Sequence, residues 1–484
     1  MPKVVRAADL AKVRPAPPLG RPITSYGTSP KAPKQVTLGA KVYKVNAMLP
    51  LFFKFACERH HTQQRRLAGL PQPWTEDKII ADWPFTNVFR VLDRNTQYIL
   101  RHVVREGSQD LEESVFRVIL FRTFNKIETW EFLKEELGDL TWKGFDIKAY
   151  QNALKNAEQA LYHNAYIMPA PKLGYAINYE AHLRLIEAMM DAKLPHELLR
   201  FKHLKDAHGY LSLYPSMGDF TTMQMLLDLN MLPHFQWSED EWVALGPGSR
   251  ACLEKMFGAD MRNERQAAHA LRYLRDAQAS WYNWLSVPSR AVPRLSPARA
   301  AGLSMVDIEH ALCECEKYSR AGLPSFSGAR TKVGKRAFRP RDGALTAELP
   351  AHWLTPPPVT IAAVIGQPPA RGEDEYEVEA IVAERGKLYC VRWAGWSIDD
   401  DSWEPRENLE GAQELLDAWN EKKRLIWEAI DSRRKGSEVT VAVTSTASAR
   451  ITRKRKLSTP SDLTEEEEDV GRMTRSSRKR RTMS

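Results

Sequence analysis

Cysteines and long apolar runs are scarce in this sequence. Its five cysteines are scattered over 484 residues and none forms a CxxC pair, so neither a disulfide framework nor a zinc site is predicted. No apolar run approaches the roughly 18 residues of a membrane-spanning helix, and the amino-terminal segment lacks the apolar core of a secretory signal. We therefore expect a soluble intracellular protein with no membrane partner.

A nucleotide-binding P-loop is also missing. The nearest candidate, GARTKVGKR at Gly328 to Arg336, has the wrong spacing between its glycines and ends in Arg where a hydroxyl residue is needed. This excludes phosphoryl transfer by P-loop machinery. No other motif predicts a cofactor or a metal ion.

Basic residues outnumber acidic ones. With 70 Lys and Arg against 61 Asp and Glu, the formal net charge is +9, which favours acidic partners and nucleic acid above all. The apolar share of 43% and the length of 484 residues allow two or three folded domains.

Composition divides the chain into five parts. Residues 1–40 are basic and rich in Pro and are predicted to be disordered, whereas residues 41–320 repeat apolar residues at helical spacing with little strand-like alternation. Residues 321–372 return to Pro, Gly and Arg and are predicted to form a linker. Residues 373–430 are predicted to form a small folded module, and residues 431–484 a disordered tail.

The tail carries two basic clusters, Arg453 to Lys456 and Arg478 to Arg481, on either side of an acidic run. Clusters of this kind act as nuclear-import signals or as nucleic-acid contacts. A merely solvated tail is the alternative. We expect a nuclear protein.

Three aromatic residues stand close together in the module at 373–430. The core of so short a segment does not need all three rings of Tyr376, Trp393 and Trp396. Aromatic rings whose faces converge can bind a methylated ammonium group. The segment resembles a chromodomain through its runs EYEVEAI, YCVRWAGW and SWEP. The resemblance implies a three-stranded antiparallel sheet with a carboxy-terminal helix, a three-ring cage with Asp400 beside it, and a methylated histone tail as partner. The alternative is that the rings are the core of a small barrel that binds nothing.

Two Pro/Gly turns precede helical patterns in residues 41–320. The first contains Pro215 and Gly218, and the second contains Gly246, Gly248 and Arg250. Such a turn aims free backbone N–H groups outward at a helix N-terminus, where they can bind a phosphate, and glycine permits close backbone approach. The first turn is similar to the helix-hairpin-helix element of DNA glycosylases, although a serine replaces its first glycine. Simple connection of two helices is the alternative for both turns.

A wider resemblance covers over half of the chain. The stretches Pro73 to Ile99, Phe121 to Trp130, Tyr214 to Asn230 and Ser238 to Arg250 look like the helical domain of 5-hydroxymethyluracil DNA kinases, which is grouped with the α-glutamyl/putrescinyl thymine pyrophosphorylases. The resemblance implies an all-α, DNA-glycosylase-like domain that binds DNA. We expect the combination of such a helical domain with a chromodomain-like module to come from a fungal protein.

Asp228 and Asp240 follow the first turn, where DNA glycosylases place a catalytic Asp. A base-modifying enzyme flips its target base into a pocket and needs a carboxylate or His there, so these two are the candidate catalytic residues. Capping or surface roles are the alternative for each. Arg90 and Asp93 are polar residues within apolar helical patterns, and they either line the pocket or form a buried ion-pair network.

A polar stripe marks the last helical pattern before the linker. His310, Cys313 and Glu314 share one helix face, but no fourth ligand stands at a matching spacing. A polar face is therefore predicted here rather than a metal site.

Three functions fit these observations. The leading hypothesis is a nuclear, chromatin-associated protein in which a methyl-lysine reader tethers a DNA-binding, glycosylase-like helical domain. The second makes that domain an enzyme on a modified thymine or uracil, and the third makes the protein a non-enzymatic adaptor derived from a mobile element. A buried, pocket-facing carboxylate beside the two turns would separate the first two.

Overall fold

The computed structural model describes residues 21–163, 165–296, 299–322, 338, 347–353 and 376–442, with side chains as far as residue 432. The two basic clusters of the tail lie outside these residues. Among the helices described, none is long and apolar enough to cross a membrane.

Residues 41–322, the helical domain, are built almost entirely from α-helices. A two-stranded antiparallel hairpin, β1 and β2, precedes them. The bounds are β1 Gln35–Leu38, β2 Lys41–Lys44, α1 Met48–Leu67, α2 Lys78–Asp82, α3 Arg94–Tyr98, α4 Leu111–Phe124, α5 Ile127–Leu137, α6 Ile147–Asn156, α7 Asn178–Asp191, α8 Leu194–Leu198, α9 Leu204–Leu211, α10 Asp219–Leu229, α11 Pro247–Phe257, α12 Glu264–Asp276, α13 Gln278–Trp284 and α14 Met305–Gly322. A π-helical turn at Ile99–Val104 continues α3.

Helix α1 lies at the centre of this domain. Phe52, Phe53 and Phe55 are all 0% exposed although they point in different directions around the helix, as expected for a helix buried on every side. Phe53 stacks on Trp281 of α13 with ring centroids 5.8 Å apart. The core is therefore continuous from one end of the domain's sequence to the other.

The amino-terminal prediction is wrong for residues 21–40, which are folded. Ile23 is 0% exposed and its N–H donates to the Glu58 carboxylate of α1 at 2.8 Å. Leu38 of β1 is 1% exposed. These apolar residues anchor the segment to the helical core despite its Pro content, and residues 1–20 lie outside the described part of the chain.

Part of the predicted linker is also packed. Leu349 is 0% exposed, and Glu348 pairs with Arg101 at 3.2 Å and with Arg105 at 2.8 Å. The linker prediction is therefore wrong for residues 347–353. Ala347 and Leu349 are buried, and with the ion pairs of Glu348 they hold in place a short segment that composition alone marks as a connection.

Residues 376–432, here called the sheet module, contain the three-stranded antiparallel sheet that was predicted. The strands β3 Val378–Arg385, β4 Leu388–Trp393 and β5 Ser402–Pro405 pair in the order β3-β4-β5, and helix α15, Gln413–Ala442, follows them. Ile381, Val391, Leu416 and Trp419 meet in a small core between sheet and helix. The predicted fold class is confirmed.

The sheet module packs directly on the helical domain. Gly209 of α9 lies so close to β3 that a Cβ atom there would be 1.7 Å from the Val382 carbonyl oxygen. Ile426 and Ile430 of α15 are buried in the core of the helical domain. The two parts therefore form one compact body rather than two modules on a flexible tether.

Candidate functional site

The structure brings the three predicted cage rings together. The Tyr376 ring lies 6.1 Å from that of Trp393 and 6.0 Å from that of Trp396, with interplanar angles of 67° and 78°. Tyr376 is 58% exposed and Trp396 is 36% exposed. Rings that meet at steep angles can place several π faces against one cation.

Local backbone geometry holds these rings in place. The Ala394 N–H donates to the Glu377 carbonyl at 2.8 Å, which binds the segment carrying Tyr376 to the end of β4. Gly395 has a φ of +81°, a conformation that favours glycine, and it turns the chain so that Trp396 follows Trp393 on the same side. The Trp393 indole N–H donates to the Ser402 hydroxyl at 3.0 Å.

The acidic run after the cage faces the helical domain. Asp399 pairs with Arg272 of α12 at 3.0 Å. Asp400, the predicted cage acid, lies 3.7 Å from Arg265 of the same helix. Asp401 is buried beneath them, with 0% of its side chain exposed. Asp400 thus has a basic neighbour from the other part of the chain.

A buried charge network completes this contact. Arg392 of β4 pairs with Asp401 and with Asp206 of α9, each at 2.9 Å, and Lys205 pairs with Asp401 at 2.8 Å. Burial lowers the pKa of Arg392, but hydrogen bonds to the two carboxylates outweigh it and raise the pKa above its usual range. The network is fully paired, as buried charges must be.

The first predicted DNA turn lies between α9 and α10. Gly218 is the N-cap of α10, is exposed, and has no described atom within 4 Å of the position that a Cβ would take. Ser216 has a φ of +66°, the left-handed conformation for which glycine is favoured. Pro215 is half-buried. The N-terminus of α10 is therefore open to a ligand.

The second turn is used differently. The Gly246 N–H donates to Glu309 of α14 at 3.0 Å. A Cβ on Gly248 would lie 2.5 Å from the Cys313 sulfur. The Arg250 guanidinium donates to the Met261 carbonyl at 3.0 Å. In this structure these glycines let the backbone of α11 pack closely against α14. The groups predicted to bind a phosphate are bonded to the protein instead.

The two turns are neighbours in space. A Cβ on Gly246 would lie 3.5 Å from the ring of Phe220, in the first turn of α10. Phe220 is 37% exposed and stacks on Tyr166 with centroids 5.6 Å apart. Tyr166 has a φ of +56°, which is uncommon for a bulky residue and is typical of functional sites.

The first candidate catalytic residue, Asp228, is inside the core. It is 0% exposed and its two carboxylate oxygens bind Arg90, at 2.8 Å, and Arg122. Arg90 also donates to the Gln224 side chain at 3.0 Å. This arrangement is the buried ion-pair network that was the alternative for Arg90.

The second candidate, Asp240, lies near the surface. Its side chain is 37% exposed and binds Arg275 of α12 through both oxygens, at 3.1 and 3.0 Å from the Arg275 Nε. The structure does not bring Asp228 and Asp240 together, because one is inside α10 and the other is beside α12.

A polar cluster beside the second turn was only partly foreseen. Asp93 lies 3.1 Å from the His310 imidazole and accepts from the Asn87 N–H at 2.8 Å, and Glu314 accepts from the Thr86 N–H at 3.2 Å. Burial lowers the pKa of His310, but the nearby carboxylates, Asp93 first, outweigh it and raise the pKa. Helical spacing placed His310 and Glu314 on one face, but nothing local linked them to Asp93, over 200 residues earlier.

Comparison with known proteins finds two families in the chain. Residues 46–328 match the family described as "5-hmdU DNA kinase, helical domain", and residues 376–422 match the chromo (chromatin organisation modifier) domain. The first match covers more than half of the chain. No solved structure matches it.

Individual relatives follow the same division. A 5-hmdU DNA kinase of Bacillus phage SP10 is 24% identical over 231 residues, 43% of this chain and 36% of the phage protein. Chromo domain-containing protein 1 of Schizosaccharomyces pombe is 43% identical over 58 residues, 11% of this chain and 6% of that protein. The H3 lysine-9 specific histone-lysine N-methyltransferase of the same yeast is 45% identical over 58 residues, 11% of this chain and 12% of the enzyme. The chain therefore spans about a third or less of each of these relatives.

Proposed function

The chain belongs to the 5-hmdU DNA kinase helical-domain family, and we propose that it is a nuclear, chromatin-associated protein. In this proposal the chromodomain binds methylated lysine on a histone tail through Tyr376, Trp393 and Trp396, with Asp400 beside them. The helical domain binds DNA at the first turn, at the N-terminus of α10. Because the two parts pack on one another, both ligands would be bound by one body.

The observation that carries the proposal is the meeting of three aromatic rings at the surface. The Tyr376 ring lies about 6 Å from the rings of Trp393 and Trp396, and grouped ring faces of this kind attract a methylated ammonium group. Tyr376 and Trp396 are exposed although they are large aromatic residues. If the rings were the core of a barrel that binds nothing, they would be buried, because the effect that assembles a core is the removal of apolar surface from water.

DNA binding is supported by different features. The open N-terminus of α10 at Gly218 presents free backbone N–H groups, and Phe220 offers an exposed ring beside it. The chain's net charge of +9 adds a general attraction to polyanions. Pro215 adjoins this site. Gly246 and Gly248 instead allow α11 to pack against α14, and Arg250 donates to the Met261 carbonyl.

The cage is tested by peptide binding to the full chain. The peptides are histone H3 peptides in which lysine 9 carries no, one, two or three methyl groups, together with an array of other methylated histone peptides. We expect binding to methylated peptides and none to the unmethylated one. Trp393→Ala should lose this binding by at least about tenfold, because a desolvated cation–π contact is worth about 2 kcal/mol.

Trp427→Ala is the matched control, since Trp427 is 45% exposed on α15 and belongs to no cage. It should bind methylated peptides like the wild type. Equal binding by the Trp393→Ala chain and the wild type would refute the cage.

DNA binding is tested by salt titration of the full chain on a duplex of about 20 base pairs. Phosphate contacts release counterions, so the logarithm of the binding constant should fall steeply and linearly with the logarithm of salt concentration. Phe220→Ala should weaken binding, whereas Trp393→Ala should leave it unchanged. Absence of binding at low salt would refute this half of the proposal.

A second candidate function is base modification by the helical domain. The polar cluster of Asp93, His310 and Glu314 favours it, because the cluster lies beside the second turn and the strained, stacked Tyr166. A protonated His310 held by Asp93 is suited to act as a general acid. Asp228 would support such a site by holding Arg90 in place.

Mass spectrometry of an oligonucleotide containing 5-hydroxymethyluracil, before and after incubation with the protein, tests this candidate. A mass change or loss of the base is expected with the wild type and not with His310→Gln. The incubation is repeated with added nucleotides and divalent metal ions. An oligonucleotide of unchanged mass under all these conditions would count against base modification.

A further inference from the structure

We propose that Arg265 of the helical domain sets the methylation-state preference of the cage. It does so by competing for Asp400, so that trimethyllysine is favoured over mono- and dimethyllysine. This inference rests on the proposed methyl-lysine function. It assigns a specificity role to a residue that lies outside the chromodomain.

The geometry places Arg265 beside the cage acid. Its guanidinium Nη2 lies 3.7 Å from the Asp400 Oδ1, with 67% of the Arg265 side chain and 33% of the Asp400 side chain exposed. Arg272 follows seven residues later, two helical turns along the same face of α12, and its 3.0 Å pair with Asp399 holds that face against the acidic run. The Arg272–Asp399 pair therefore keeps Arg265 near Asp400.

The chemistry of the ligand makes this position matter. A mono- or dimethylated ammonium group retains N–H donors, which a carboxylate beside the rings accepts in a charge-assisted hydrogen bond. A trimethylated ammonium group has no N–H donor and depends on the π faces alone. A guanidinium 3.7 Å from the Asp400 carboxylate competes with such a donor and therefore weakens binding of the lower methylation states most.

The size of the effect follows from the exposure of the pair. Exposed ion pairs are weak and are screened by salt, so Arg265 does not abolish the acceptor role of Asp400. We expect a change in the ratio of dissociation constants of about two- to fivefold.

The test measures that ratio with the full chain. Arg265→Ala and Arg262→Ala are compared with the wild type on one H3 peptide carrying mono-, di- or trimethylated lysine 9, or on the array peptide that the wild type binds best. Arg262 is the matched control, because its side chain is 74% exposed, it lies two residues before α12, and it pairs with Glu254 rather than with Asp400. Each variant loses one positive charge.

In Arg265→Ala the dissociation constants for mono- and dimethyllysine should fall relative to that for trimethyllysine, and in Arg262→Ala the ratios should match those of the wild type. When Asp400→Asn is added, Arg265→Ala should have no further effect. Unchanged ratios in Arg265→Ala, or the same change in both variants, would overturn the inference. The proposed function would still stand in that case, provided that the wild type binds methylated peptides. A wild type that binds no methylated peptide would instead overturn the proposed function itself.

Discussion

At the scale of single residues, the helical domain is notable for charges that are buried and paired. Asp228 binds Arg90 and Arg122 with none of its surface exposed. An isolated buried charge is costly, so each such group depends on its partners. Asp228 is thus bound to the fold whether or not a reaction takes place nearby.

Asp228→Asn should unfold at markedly lower urea concentration than the wild type. The substitution keeps the shape of the side chain but leaves Arg90 and Arg122 as buried, uncompensated cations, which costs about 3–5 kcal/mol of unfolding free energy. Asp240→Asn is the control, because its pair with Arg275 is partly exposed and should contribute less than about 1 kcal/mol. Equal stability of the two variants would contradict a structural role for the Asp228 network.

Two buried histidines predict how stability depends on pH. Burial lowers the pKa of His60 to about 3 and that of His61 to about 4, whereas an unfolded His titrates near 6.5. Between these values the unfolded chain binds more protons than the folded chain. The contribution of the two histidines to the free energy of unfolding is therefore fully present above pH 6.5 and is lost as the pH falls from 6.5 towards 4.

Thermal unfolding measured from pH 7.5 to pH 5 should show this loss, and His60→Gln should show a shallower one. His163→Gln is the control because His163 is exposed. A pH dependence in His60→Gln that is as steep as that of the wild type would show that His60 is not its source.

At the scale of elements, α9 and α10 serve two surfaces at once. Their connecting turn carries the open helix N-terminus at Gly218, while the outer face of α9 supports β3. Arg385, at the end of β3, lies 3.6 Å from Asp219 in the first turn of α10. The chromodomain sheet therefore borders the proposed DNA site.

Gly209→Ala should disrupt the contact between α9 and β3. Its Cβ would lie 1.7 Å from the Val382 oxygen and 2.8 Å from the Val382 carbonyl carbon, and because both atoms are backbone, the elements must separate. We expect a loss of about 1–3 kcal/mol and faster amide hydrogen exchange in β3.

Gly218→Ala is the companion variant. It has a φ of −76° and no described atom within 4 Å of the Cβ position. Only the lower N-cap preference of Ala should therefore reduce stability, by less than about 1 kcal/mol, and exchange in β3 should stay as in the wild type. Protection of β3 that is unchanged in Gly209→Ala would contradict the docked arrangement.

At the scale of the whole molecule, α15 joins the two parts. Leu416 and Trp419 pack in the chromodomain core, whereas Ile426 and Ile430 pack in the core of the helical domain. Lys422, between them, lies over the rings of Phe201 and Tyr210. A single helix that contributes to both cores should make them unfold together.

Calorimetry of the wild type should therefore show one transition for both domains. Ile426→Ala, at a position 1% exposed, should cost about 2–5 kcal/mol. The neighbouring Leu425→Ala, at a position 48% exposed, should stay within about 0.5 kcal/mol of the wild type. Two well-separated transitions in the wild type would show that the domains fold independently.

Local patterns were sufficient for the elements and for the grouping of the three aromatic rings. The runs EYEVEAI, YCVRWAGW and SWEP, which resemble a chromodomain, predicted the three strands and grouped Tyr376, Trp393 and Trp396. Apolar spacing predicted the helices of residues 41–320. These features depend on neighbours within a few residues, so their information is contained in short stretches of sequence.

Contacts between distant residues could not be predicted in this way. Asp228 meets Arg90 138 residues away, and the pairing of α11 with α14 explains Gly248 better than a phosphate does. Residues 21–40 and 347–353 resembled disorder and linker because the few buried apolar residues in each segment do not change its composition.

The sequence by itself determined that this protein has a helical domain, a chromodomain sheet and three aromatic residues able to form a cage. Only the tertiary structure decided that the chromodomain is docked on the helical domain, that Asp228 is enclosed by two arginines, and that Arg265 lies beside Asp400. The reason is physical. Periodicity states which face of an element is apolar, but the partner of a charged or small residue on that face is chosen by how the elements pack together.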